Sequence, residues 1–117
     1  MAQASDCLFC KIVREEVQAD VVHSSDNVVA FRDINPQAPT HILLIPKEHI
    51  ESATSLDDRH GKLLAEIMQT ATHLAEAEDI YRSGWRLVTN VGADAGQSVL
   101  HLHFHLLGGR GFGWPPG

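Results

Sequence analysis

Basic residues are scarce in this chain. Nine Lys and Arg stand against fifteen Asp and Glu, a formal net charge of -6 with His neutral. That balance excludes a general nucleic-acid binder, which needs a positive surface to displace counterions. It does not exclude an anionic small molecule, because backbone amides can hold a phosphate without Lys or Arg. Cysteine is equally sparse. Only Cys7 and Cys10 occur, and their C-x-x-C spacing reads as a redox pair or as half of a metal site. Long apolar runs are missing too. No stretch approaches the roughly 18 residues that a membrane span needs. Residues 1–6 show no basic region followed by an apolar one, so no secretory signal is expected and the expected compartment is the cytoplasm. A reducing compartment makes a structural disulfide unexpected. The 117 residues suit one domain with a modest core.

What remains is patterned. Residues 1–5 read as a disordered lead. Leu8, Phe9, Ile12 and Val13 have helical spacing. Residues 21–23 and 28–31 flank the turn-forming Ser24-Ser25-Asp26-Asn27 and predict a hairpin. A loop with two prolines, Pro36 and Pro39, leads to an apolar strand over 41–45 that stops at Pro46. Ser55 with Asp58 resembles a helix cap. Leu63, Leu64, Ile67, Met68, Ala71, Leu74 and Ala75 then share one face of a 3.6-residue period. This one long helix is expected to end near 81–84. Residues 85–91 read as a strand, 92–98 as a glycine-rich loop, 99–107 as an alternating strand, and 108–117 as an irregular Gly- and Pro-rich tail. The sum is an α+β domain: a mostly antiparallel five-stranded sheet, one long helix against it and a short N-terminal helix.

Eight histidines is a high count for this length, and His101, His103 and His105 crowd into five residues. On a strand they share one face, with Leu102, Phe104 and Leu106 on the other. Neighbours on that face lie roughly 6.5–7 Å apart, which suits successive atoms of a ligand. A solvated strand face and a three-histidine metal site are the competing readings. His23, His60 and His73 match no motif and read as surface residues.

His101-Leu102-His103-Phe104-His105-Leu106-Leu107 resembles the motif of the histidine triad (HIT) superfamily. Gly96-Gln97-Ser98, Trp114-Pro115-Pro116-Gly117 and the run from Phe31 to His41 resemble its nucleotide-binding branch, the purine nucleoside phosphoramidases. The resemblance covers the chain from Cys7 to Gly117. It implies a HIT-like fold and a hydrolase that attacks the α-phosphate of a purine nucleotide through a nucleotidyl-histidine intermediate. His103 is implied as nucleophile, His105 as phosphate contact and leaving-group acid, and Ser98 as a contact near the bridging atom. His41 is implied as a partner that fixes tautomers behind them. Asn90 and Gln97 are implied phosphate contacts, and Asp33 fits the ribose hydroxyls. Phe31, Ile34, Leu43, Leu8, Phe9 and Ile12 would form the base slot, several of them serving the core as well.

Cys7, Cys10, His49 and His101 are the implied ligands of a closed, structural zinc site; two free thiols with incidental histidines are the alternative. No organic cofactor is expected. A homodimer is expected, because closed two-fold pairs are the commonest assembly and the helix and the 85–91 strand can each meet their own copy. Phe112 and Trp114 are expected to dock, with Trp114 bordering the leaving group in the partner's site. A dinucleoside polyphosphate hydrolase and a nucleotide-binding regulatory protein with incidental catalysis remain alternative functions.

Overall fold

The computed structural model describes residues 6–117; the lead expected at residues 1–5 lies outside them. Five strands, β1 (Val21–Ser24), β2 (Val28–Arg32), β3 (Thr40–Pro46), β4 (Trp85–Val88) and β5 (Phe104–Gly108), form one sheet in the order β1-β2-β3-β5-β4. Every pairing is antiparallel. A short helix α1 (Leu8–Val13) and a long helix α2 (Gly61–Ala77) complete the α+β fold.

The two sheet faces have separate cores. Ile42, Leu44 and Leu106 project to one side with Val28 and Ala30, where Ile67, Ala71, Leu74 and Ala75 of α2 cover them. Val29, Phe31, Leu43 and Ile45 project to the other, where Phe9 and Ile12 of α1 pack on them, flanked by half-buried Cys7, Val13, Ala19 and Val99. β3 is buried along its whole length, since both its faces are covered. His103 and His105 lie on that second face, His103 beside Phe9 of α1.

The helix ends differ from the expected ones. Asp57, not Ser55, caps the turn that leads into α2: its side chain accepts from the Arg59 amide, and the His60 ring accepts from the Asp57 amide in return. His60 is therefore buried and structural rather than a surface residue. At the other end α2 stops at Ala77, well before Gly84. The amides of Asp79 and Ile80 turn back to the carbonyls of Glu76 and Ala75, with Asp79 at φ 61°. This is a C-terminal cap of the kind glycine usually supplies, here closed by aspartate and anchored by buried Ile80. His23 is half-buried, with a shielded Nε2, whereas His73 is exposed as expected.

The histidine segment shows the largest departure. Residues 99–107 are not one strand; β5 begins only at Phe104, and β4 ends at Val88 rather than at residue 91. The β3–β5 register runs to Leu44 opposite Phe104. Extended further it would set Leu102 against Pro46, which has no N–H to give a ladder. The chain leaves the sheet there. The Leu102 amide bonds the Ile50 carbonyl at 2.6 Å instead, and the His101 ring takes the Pro46 carbonyl.

Candidate active site

Of the three alternating histidines only His105 sits on a strand. Phe104 and Leu106 still face α2, so His105 faces the other side. His103 follows it on that side, its ring 5.1 Å from the His105 ring and 5.1 Å from the edge-on Phe9 ring. His101 turns inward and is fully buried.

Hydrogen bonds to backbone groups of fixed sense settle the tautomers. His103 Nδ1 lies 2.7 Å from the His101 carbonyl oxygen. A carbonyl only accepts, so Nδ1 carries the proton and Nε2 holds a bare lone pair. The His103 carbonyl in turn accepts from the Thr89 hydroxyl at 2.8 Å. His41 Nδ1 accepts from the Gln37 amide at 3.0 Å, which places its proton on Nε2. That Nε2 is 2.9 Å from His105 Nδ1. His105 therefore accepts at Nδ1 and presents Nε2–H. A bare nitrogen and an N–H donor stand side by side at the open face.

Burial keeps His105 and His41 neutral. It pushes the His105 pKa down to about 4, with the neighbouring His103 and His41 rings adding to the fall. Burial lowers His41 as well, opposed by the nearby Asp33 carboxylate, whose Oδ2 lies 3.4 Å from His41 Nε2.

The six apolar residues expected around a base do come together. Leu8, Phe9, Ile12, Phe31, Ile34 and Leu43 line one recess of about 180 Å³, with Asp33 at its rim. Phe31, Leu43, Phe9 and Ile12 are buried and double as core, while Ile34 is 100% exposed and can serve only the recess. Gln18 and Arg32 also line it; the sequence offered no signal for either. Asp33 Oδ1 accepts from the Asn35 amide at 2.8 Å, so one carboxylate oxygen builds the turn while the other faces His41.

The remaining expected residues fall into two groups. Ser98 is exposed on the loop leading to His101, and Asn90 is half-buried next to Thr89. Gln97 is committed to the loop: its amide bonds the Gly92 carbonyl, its Oε1 accepts from the Gly92 amide, and its Nε2 donates to the Glu51 and Val99 carbonyls. Phe112 does dock, between Arg86 and Arg110 of its own chain. Trp114 is 85% exposed on its own chain. Thr89 and the Pro46 carbonyl are positioning groups that no sequence motif marks.

Cys7, Cys10, His49 and His101 converge, with one ligand atom from each within 4.8 Å of the others. His101 Nε2 gives its proton to the Pro46 carbonyl at 2.9 Å, which leaves Nδ1 bare and aimed at the cluster. That Nδ1 is 3.3 Å from Cys7 Sγ, 3.5 Å from Cys10 Sγ and 3.2 Å from His49 Nδ1. A tetrahedron with metal–sulfur bonds of ~2.3 Å and metal–nitrogen bonds of ~2.0–2.1 Å has edges of roughly 3.3–3.6 Å between such atoms. The donor set fits a metal ion.

Comparison with known proteins agrees with this geometry. The HIT domain model matches residues 14–112. The chain is 44% identical over 110 residues to the purine nucleoside phosphoramidase of Escherichia coli K12, covering 94% of this chain and 92% of that one. It is 46% identical over 114 residues to an uncharacterized HIT-like protein of Synechococcus elongatus, covering 97% of this chain and 99% of the relative. Among solved structures, a HIT family hydrolase from Legionella pneumophila superposes with a TM-score of 0.94 at 53% identity, over 96% of this chain and 100% of that one. A HIT family hydrolase from Clostridium thermocellum gives 0.92 at 42%, over 95% and 96%. With a bare imidazole nitrogen beside an imidazole donor in the matching fold, this chain belongs to the HIT family and carries a histidine-centred hydrolase site.

Proposed function

We propose that the enzyme hydrolyses purine nucleoside 5′-phosphoramidates and related mixed anhydrides at the α-phosphate, releasing the nucleoside monophosphate. The observation that carries this reading is the pairing of a bare His103 Nε2 with an N–H at His105 Nε2, each fixed by its ring's second nitrogen. The base recess and Asp33 lie on the same face.

The base enters the apolar recess and the ribose hydroxyls bond Asp33. His103 Nε2 attacks phosphorus, forming a P–N bond to the imidazole as the bond to the leaving amine breaks. The His105 Nε2 proton goes to that amine, which is a poor leaving group unless protonated, and solvent returns a proton to His105 in the same step so that the ring stays neutral. The imidazolium that results at His103 keeps its Nδ1–H on the His101 carbonyl. Water then attacks phosphorus, its surplus proton returns to solvent by way of His105, and the bond to His103 breaks. Two displacements replace one difficult one. Ser98 and Asn90 border the phosphate from the loop and the end of β4.

Zinc is the ion we assign to Cys7, Cys10, His49 and His101. Two thiolates and two imidazoles suit it, and a closed shell is structural. It would staple the α1 start to the His101 segment and touch no phosphate. The active form we propose is a homodimer. β4 is an edge strand of the sheet, and an edge of this kind pairs readily with a copy of itself. Exposed Trp114 would border the leaving group in the partner's site.

The test is kcat/KM over adenosine phosphoramidates, acyl adenylates and diadenosine polyphosphates. Preference for the first two supports the proposal. Preference for polyphosphates would replace it with a dinucleoside polyphosphate hydrolase. Tight monophosphate binding with negligible turnover on all three would replace it with a binding role.

A further inference from the structure

A second recess opens on the catalytic face, about 480 Å³ in volume and lined by Arg86, Val88, Leu107, Arg110, Phe112 and the residues of the tail. The register fixes its place. Val88 pairs with His105, and Arg86 with Leu107. Leu107 also pairs with His41 across β3. Trp85, Leu87, Phe104 and Leu106 pack toward α2, so the alternation puts Arg86, Val88, His105 and Leu107 on the other side together. Arg86 therefore stands one strand over and one side-chain step along from His105, a diagonal of roughly 8 Å between backbones. An extended arginine spans that distance. The base recess lies on the other flank of His105, toward β2 and α1.

The charges on this recess are held without a carboxylate. Arg14, Arg32 and Arg59 each bridge a carboxylate, as a net charge of -6 makes easy. Arg86 and Arg110 do not. Their guanidinium carbons lie 5.1 and 4.3 Å from the centroid of one ring, Phe112. Among the described residues their hydrogen bonds go only to backbone carbonyls: Gly113 for Arg86, Gln37 and Gly111 for Arg110. Two cations on one aromatic ring repel each other, and each has donors to spare. Such a pair is complementary to an oxyanion.

We propose that Arg86, Arg110 and Phe112 form a leaving-group subsite that binds an oxyanion carried by the amine, a carboxylate or a phosphate. This rests on the phosphoramidase reading above. Its consequence is that the enzyme favours acidic leaving groups, amino acids joined to phosphorus through nitrogen before simple amines.

The experiment compares kcat/KM for three adenosine 5′-phosphoramidates: of an amino acid with a free carboxylate, of its neutral carboxamide, and of the matching aminoalkyl phosphonate. Each is run on the wild type and on R86Q, R110Q and the double variant. A double variant's own ratio removes the intrinsic difference between the amines. The acid-to-amide ratio is expected to be about tenfold higher in wild type than in R86Q/R110Q. That excess should shrink between about 0.01 and 1 M salt, a readout that needs no variant. R86K/R110K, which keeps both charges, should retain part of it. The larger of the carboxylate and phosphonate ratios identifies the oxyanion. An acid-to-amide ratio that is the same in wild type and variant, and indifferent to salt, overturns the subsite. So does an unchanged ratio with a shift of the double variant to a smaller species in sedimentation, which would make the recess a contact between copies. If no phosphoramidate is cleaved at all, the phosphoramidase reading has failed instead.

Discussion

Replacing His41 with leucine tests whether the tautomer of His105 is imposed from behind. In the wild type His41 Nε2–H reaches His105 Nδ1 at 2.9 Å, while the Gln37 amide fixes the His41 tautomer at 3.0 Å. Leucine fills similar space but satisfies neither group. Two lost hydrogen bonds, partly offset by the apolar replacement, cost about 2 kcal/mol, or roughly 8 °C in Tm for a chain of this size. The kinetic loss has a different signature. Without its donor, the His105 ring can carry its proton on Nδ1 and turn a lone pair toward the leaving group. Loss of a positioned acid costs about 100-fold or more when the leaving group needs a proton. The assay is kcat for an adenosine phosphoramidate of a simple amine beside an adenylate with a good, weakly basic leaving group. H41L should lower the first by about 100-fold and the second by less than about 5-fold. H41Q keeps an acceptor for Gln37 and a donor for His105 and should recover part of the difference. Equal losses on both substrates would show that His41 merely holds the fold, and an amine substrate cleaved at wild-type rate would refute the relay.

Three further outcomes follow from the same contacts. Ile34 is 100% exposed but lines the base recess, so I34A should weaken adenosine monophosphate binding by about 3-fold or more with no change in Tm. F31A, at a buried ring, should lower both. His105 and His41 are held neutral by burial, with His105 near 4 in the folded state against about 6.5 unfolded. The unfolded chain binds more protons in between, so stability to urea should fall as pH drops from about 6.5 toward 4 and level off below; a flat profile there contradicts neutral burial. Protein purified without chelator should carry about one zinc per chain, and C10S should lose both the metal and several degrees of Tm. Substoichiometric metal with both thiols freely titrating would remove zinc from the account.

The sheet and the two helices were legible in the sequence because burial leaves a pattern: short apolar runs at β2 and β3, alternation along β5, and a 3.6-residue stripe on α2. The six residues around the recess were implied by the family resemblance alone, since Leu8 and Ile34 are exposed and the other four read as ordinary core. The segment from residue 99 to 103 was not. Its alternation continues that of β5, so pattern alone extends the strand. What ends it is Pro46 on the neighbouring strand, a long-range effect that no local window contains. The same holds for the end of α2, where Asp79 takes the left-handed turn usually read from glycine. Gln97 looked like a phosphate contact, yet its amide and side chain close the loop. Thr89 and the Pro46 carbonyl fix His103 and His101 from positions with no motif. Such groups act through hydrogen bonds between segments far apart in the chain, and only the fold brings them together.

The central claim is that His103 Nε2 takes the nucleotidyl group. The direct measurement is rapid quenching of wild-type enzyme with an adenosine phosphoramidate, followed by peptide mass mapping under conditions that preserve phosphorus–nitrogen bonds. The account predicts one adenylyl group on the peptide containing residues 101–105, located at His103, formed and lost at rates that match turnover, and absent in H103A. An adduct on His105, or full turnover with no adduct that keeps pace with it, would contradict the account.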